Sequence, residues 1–124
     1  MSWLAVAFGG ALGAMMRYGV FIWLTPHPSK FPVATFAVNV CGCFMAGILY
    51  VAITHAAVPQ AWRPLLAVGF LGAFTTFSTF SLEALLLWQN QLAAVAFFYV
   101  VVTLFSCLLA VWLGYLSSQF LFSQ

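Results

Sequence analysis

Four apolar stretches divide this chain, at roughly residues 3–24, 32–53, 65–88 and 92–116, and only short polar breaks separate them. A helix needs roughly 20 residues to cross the hydrocarbon core of a bilayer, and each stretch is long enough. Inside a membrane every backbone amide and carbonyl must find its partner within the protein, so apolar runs of this length predict helices. No water-soluble alternative is open. Of the 124 residues, 66% are hydrophobic and 3% charged, whereas a soluble domain carries roughly 25% charged residues. The expected fold class is an all-α integral membrane protein with four transmembrane helices, forming a single domain over residues 1–124 without a repeat or linker. Four spans put both termini on the same side of the bilayer.

The same composition excludes whole classes of function. The formal charge of +2, from Arg17, Lys30 and Arg63 against Glu83, is far too small for a nucleic-acid surface. No soluble region is present to host catalysis, so an enzyme is not expected. Cys41, Cys43 and Cys107 lie in apolar stretches without zinc or redox spacing and read as buried free thiols. His27 and His55 sit in polar breaks and read as solvated loop residues. No basic segment precedes the first apolar run and no small-residue cleavage site ends it, so that run is expected to stay as a span. The loop cations are nearly balanced, with Lys30 in the first loop and Arg63 in the second, so the positive-inside rule gives almost no orientation. A chain inserted both ways has this balance, and so does a nearly neutral chain whose signal is simply unreadable.

The polar residues inside the spans carry what chemistry there is. In the first span Gly9 and Gly13 form a small-xxx-small pair that admits another helix. Arg17 follows, and a guanidinium at that depth must face a polar cavity, pair, or snorkel towards the interface marked by Trp23. Pro32 suits the opening turn of the second helix. There Thr35 and Asn39, four apart, share a face ahead of Gly42. Asn39 reads as interhelical glue or as a pore-lining donor. In the fourth span Thr103 and Ser106 share a face, and residues 117–124 read as a short, frayed tail.

The third span is the unusual one. Residues 69–83 hold Gly69 and Gly72, then the hydroxyls Thr75, Thr76, Ser78, Thr79 and Ser81 interleaved with Phe74, Phe77 and Phe80, and finally Glu83, the only acid in the chain. Glycine weakens a helix, and Ser and Thr offer the backbone competing hydrogen bonds, so this helix is expected to break in mid-membrane. Broken helices whose freed backbone groups hold ions recur in transport proteins. The alternative is a small-residue face for helix packing. Hydroxyls and a carboxamide can donate to an anion, and phenyl rings present a positive edge. Phe77 and Phe80, three apart, lie on a similar face; core packing is the competing account of them. The carbonyls near Gly72 and Thr75 suit a hard cation instead.

These residues resemble the fluoride-channel family known as CrcB or Fluc. The resemblance covers the whole chain: four spans, a Gly-rich first helix with Arg17, Val38-Asn39-Val40, and above all the Gly-x-x-Thr-Thr-Phe-Ser-Thr-Phe-Ser-x-Glu pattern over 72–83. It implies an antiparallel, dual-topology homodimer in the bacterial plasma (inner) membrane, with two fluoride pathways along the subunit interface. It implies a central sodium ion held by the carbonyls of Gly72 and Thr75 from both subunits. Phe77 and Phe80 match the phenyl pair lining the pathways, Asn39 the pore carboxamide, and Ser78, Thr79 and Ser81 the hydroxyl-rich segment. Thr35 is a further candidate on the Asn39 face. Thr103 and Ser106 would supply a polar track on the fourth helix, Glu83 would sit towards a vestibule, and Arg17 fits the family pattern without an assigned role.

The expected function is passive, fluoride-selective export from the cytoplasm. Two other classes compete with it. A proton-coupled exporter would need a titratable carboxylate in its transport site, for which Glu83 is the candidate. A non-transporting packing subunit would account for the small residues but not for the hydroxyl-phenyl alternation.

Overall fold

The computed structural model describes residues 2–25 and 29–123, so His27 lies outside the described residues. It is all-helical. Helix α1 spans Ser2–Leu24 and α2 spans Val33–Thr54. A short 3-10 turn, Gln60–Trp62, leads into a π-helical segment, Pro64–Leu71, continued by the single α turn Gly72–Phe74; the last two are together α3. Helix α4 spans Phe77–Gln89 and α5 spans Ala93–Phe122. Four helical stretches are long and apolar enough to cross a membrane: Ser2–Leu24, Val33–Thr54, Gln60–Gln89 and Ala93–Phe122.

The turns between helices are closed by backbone geometry. After α2, Ala56 takes a left-handed conformation with φ 56°, and the Ala57 amide donates to the Ala52 carbonyl at 2.9 Å. After α4, Gln91 does the same with φ 60°, and the Leu92 amide donates to the Leu87 carbonyl at 2.9 Å. Both are Schellman-type stops, which satisfy carbonyls that would otherwise face apolar surroundings. His55, at the C-terminal end of α2, is exposed and stacks on Phe122, with ring centroids 5.0 Å apart.

Glycines set which helices touch. A side chain at Gly9 or Gly13 would overlap the carbonyl oxygens of Leu65 and Phe70, and one at Gly69 would stand 2.7 Å from the Val6 carbonyl oxygen. Helix α1 therefore lies backbone-to-backbone on the π-helical segment. Gly47 and Gly114 play the same part between α2 and α5, meeting the Val111 and Phe44 carbonyls respectively. In lipid, where apolar burial gives no drive between helices, such close approach is what van der Waals association requires. A cluster of Phe80, Leu87, Ala96 and Tyr99 seals α4 against α5.

Two sequence expectations need correction. The fourth helix does not fray after Leu116 but continues to Phe122, because Gly114 and the buried Ser118 prolong its contact with α2. The cysteines are free, but Cys41 is exposed and Cys43 and Cys107 are only half-buried. On the α2 face that carries Cys41, Phe44 and Ile48 are exposed too.

Gly114→Val should destabilise the fold by about 3 kcal/mol, the upper end for overpacking, since backbone cannot yield as a side chain does. Gly19→Val is the control, because nothing lies within 4 Å of a side chain there. Thermal unfolding in detergent should show a lowered midpoint for the first and an unchanged one for the second.

Candidate functional site

Between α3 and α4 the backbone leaves the helix. Thr75 has φ −83° and ψ 157°, and Thr76 has φ −151° and ψ 116°. Two extended residues inside an apolar stretch strand the last carbonyls of one helix and the first amides of the next. Asn39 of α2 supplies the repair. Its Nδ2 donates to the Thr76 carbonyl at 2.9 Å, and the Thr76 amide donates to its Oδ1 at 2.8 Å. The carboxamide thus stands in for a neighbouring peptide, and its own burial is nearly complete.

Threonine chemistry finishes the junction. The Thr76 hydroxyl oxygen accepts the Thr79 amide at 3.2 Å and so caps α4; it also donates to the Thr79 hydroxyl at 3.0 Å. The Thr75 hydroxyl turns back to the Leu71 carbonyl at 2.9 Å, and a side chain at Gly42 would overlap its methyl group. Of the alternatives open to Arg17, the structure selects the inward one: Nη1 reaches the Thr75 carbonyl oxygen at 3.4 Å. Among the described residues no donor reaches the carbonyls of Gly72, Ala73 or Phe74.

Beside the junction lies a cleft of about 210 Å³ lined by Asn39, Thr75, Thr76, Phe77, Phe80 and Thr103, among others. It holds no formal charge. The Thr103 hydroxyl is buried without a hydrogen-bond partner, a state that costs about 1–3 kcal/mol unless a guest accepts from it. The Phe77 and Phe80 rings stand 5.4 Å apart, inclined at 53°. Phe80 is buried against Tyr99, with centroids 5.1 Å apart, while Phe77 is 71% exposed. Thr103 lines the cleft, and its companion Ser106 does not. Ser78, Thr79 and Ser81 crowd the first turn of α4 without lining it; Ser78 and Ser81 are exposed, and Ser81 donates to the Phe77 carbonyl one turn back. Gly72 is exposed and, with Thr75, borders a separate, largely apolar groove of about 470 Å³ on the outside of the chain.

Glu83 belongs to a different place. Its two oxygens accept from the Thr35 hydroxyl and the Tyr99 hydroxyl, each at 2.8 Å. It borders a cleft of about 300 Å³ near the first loop, with Phe21, Thr25 and Ser29. Tyr99 is fully buried and is the partner that sequence reasoning missed. An aromatic in an apolar run carries no signal that its hydroxyl is spent on a carboxylate sixteen residues away. In the sequence Thr76 is one hydroxyl among several, yet its backbone holds the junction.

Fold and site together define a small multi-pass membrane protein whose junction cleft is lined by hydroxyls, a carboxamide and phenyl rings. The chain belongs to the CrcB family: the family model described as "CrcB-like protein, Camphor Resistance (CrcB)" matches residues 4–115. A relative from Saccharophagus degradans is 56% identical over 100 residues, covering 80% of this chain and 75% of its own. One from Acidobacterium capsulatum is 46% identical over 116 residues (92% and 93%), and one from Azotobacter vinelandii 45% identical over 113 residues (90% and 91%). All three are named fluoride-specific ion channel FluC.

Asn39→Leu would orphan the amide and carbonyl of Thr76 in a buried place, at roughly 1–3 kcal/mol for each group. Ser81→Ala removes only an exposed bond within one helix and should stay within about 0.5 kcal/mol of the parent. Unfolding midpoints of the two variants in detergent should separate clearly; equal midpoints would show that the Asn39 bonds do not hold the junction.

Proposed function

We propose that this protein is a passive, fluoride-selective channel that works as an antiparallel homodimer in the bacterial inner membrane and lets fluoride leave the cytoplasm. The observation that carries the reading is the uncharged cleft at the junction, with a buried unpartnered hydroxyl, a carboxamide and two phenyl rings on its walls. Fluoride is a small, strongly hydrated anion and leaves water only for several short hydrogen bonds. Selectivity in a narrow path comes from groups that replace hydration, and release requires that no single stop bind too tightly. Neutral donors and positive ring edges meet both demands. The names of the relatives point to the same ion.

Pairing of two chains is supported by what one chain leaves unfinished. Phe77 is open on one side, and Gly72 faces outward onto an apolar groove. Among the described residues no donor reaches the Gly72 carbonyl, and the Thr75 carbonyl accepts only the long contact from Arg17. These oxygens, doubled by a second copy, are a donor set that a sodium ion accepts; bound there, it would pin the two junctions together. Among the described residues no group of three or more His, Cys, Asp or Glu could hold a metal. Glu83 sits apart from the junction cleft, with both oxygens engaged, which speaks against a carboxylate-driven exporter.

Liposomes that contain only this protein should release loaded fluoride without a proton gradient and retain chloride. Equal chloride loss, or an absolute need for a pH gradient, would overturn the reading. Gly72→Val tests the pairing. In one chain a side chain there meets nothing nearer than the Ala67 carbonyl oxygen at 3.9 Å, so the helix content of the variant should match the parent. Cross-linking yield between copies should fall sharply; undiminished yield would remove Gly72 from the interface.

A further inference from the structure

Two thiols share the wall of the junction cleft. Cys43 comes from α2, one turn beyond Asn39, and Cys107 from α5, one turn beyond Thr103. Both line the cleft, both are free, and both are half-buried. The cleft they share is only about 210 Å³. The helices that carry them are locked in register by the Gly47 and Gly114 contacts, in which backbone meets backbone. Cys43 also borders the outer groove beside Gly72. The fluoride reading gives neither thiol a task. Sulfur is a poor host for a hard anion, but two adjacent sulfurs in a low-charge cleft are the donor set preferred by soft cations.

We propose that Cys43 and Cys107 form a binding site for thiophilic metal ions of the kind that accept two sulfur ligands, and that its occupation closes the junction cleft. Each thiol loses its proton to solvent as its sulfur bonds the metal, so one Hg(II) takes two thiolates and leaves a neutral S–Hg–S bridge with no change of oxidation state. Neutrality suits the apolar surroundings, where a charged adduct would be costly. The bridge would join α2 to α5 across the wall that Asn39 and Thr103 share.

The test uses Hg(II) on the full chain in detergent, in a Cys41→Ser background that removes the exposed third thiol. Sulfur-to-mercury charge-transfer absorbance, measured in competition with a monothiol, should show one tightly held Hg(II) per chain. Replacing either Cys43 or Cys107 with Ser should weaken it about 100-fold, the loss expected when a bivalent ligand becomes monovalent. Single-thiol variants that hold Hg(II) as tightly as the background protein, or two independent equivalents per chain in the background protein, would overturn the site. In liposomes the same Hg(II) should stop fluoride efflux through the background protein and spare the variant that also carries Cys107→Ser; block of both would overturn the closure. This second claim rests on the fluoride reading, but the absorbance titration does not. A protein that binds Hg(II) as described yet passes no fluoride without it would sink the transport reading and leave the metal site standing.

Discussion

The pair of hydrogen bonds between Asn39 and the backbone of Thr76 is the constraint on which the rest depends. An extended dipeptide within an apolar helix pair is costly because its amide and carbonyl have no water to turn to. One carboxamide answers both groups at 2.8 and 2.9 Å. Once Thr76 is held, its hydroxyl caps α4, which starts with Phe77 and sets Phe77 and Phe80 a turn apart. Helix α4 then carries Glu83 to Thr35 and Tyr99. Asn39 is therefore both the glue and a wall of the cleft.

The surrounding helices keep that junction in place with little side-chain bulk. Glycines at 9, 13 and 69 seat α1 on the π-helical segment, and those at 47 and 114 seat α2 on α5. Close backbone approach substitutes for the hydrophobic drive that lipid does not provide. It also explains how a chain of this size can enclose polar groups at all. Arg17 is held off the cleft wall and aimed at the Thr75 carbonyl oxygen. The cleft itself offers hydroxyls, a carboxamide and rings, groups that attract an anion without trapping it.

Much of this is legible in the sequence, and what is not has a physical reason. Hydropathy reveals the four spans, because in a membrane length and apolarity are nearly the whole requirement. The four-residue spacing of Thr35 and Asn39 places them on one face, and both do turn towards α4 and its start. Local pattern does not reveal the π-helical winding of Pro64–Leu71, the segment on which α1 lies. Pairings across long sequence distances are equally silent. Tyr99 with Glu83 and Arg17 with Thr75 depend on which helices meet, and no residue in those stretches announces its partner. Gly72 reads as a packing glycine, yet within the chain a side chain there meets nothing nearer than 3.9 Å.

The central claim is that the junction cleft conducts an anion past ring edges, and Phe77 isolates it. Its side chain is 71% exposed, so Phe77→Ile removes the positive edge while leaving the packing of the chain nearly untouched. The measurement is the initial rate of fluoride efflux from liposomes carrying equal amounts of correctly folded parent or variant. The account predicts a loss of at least about tenfold, equivalent to roughly 1.4 kcal/mol on the barrier to passage. An efflux rate equal to that of the parent would contradict it.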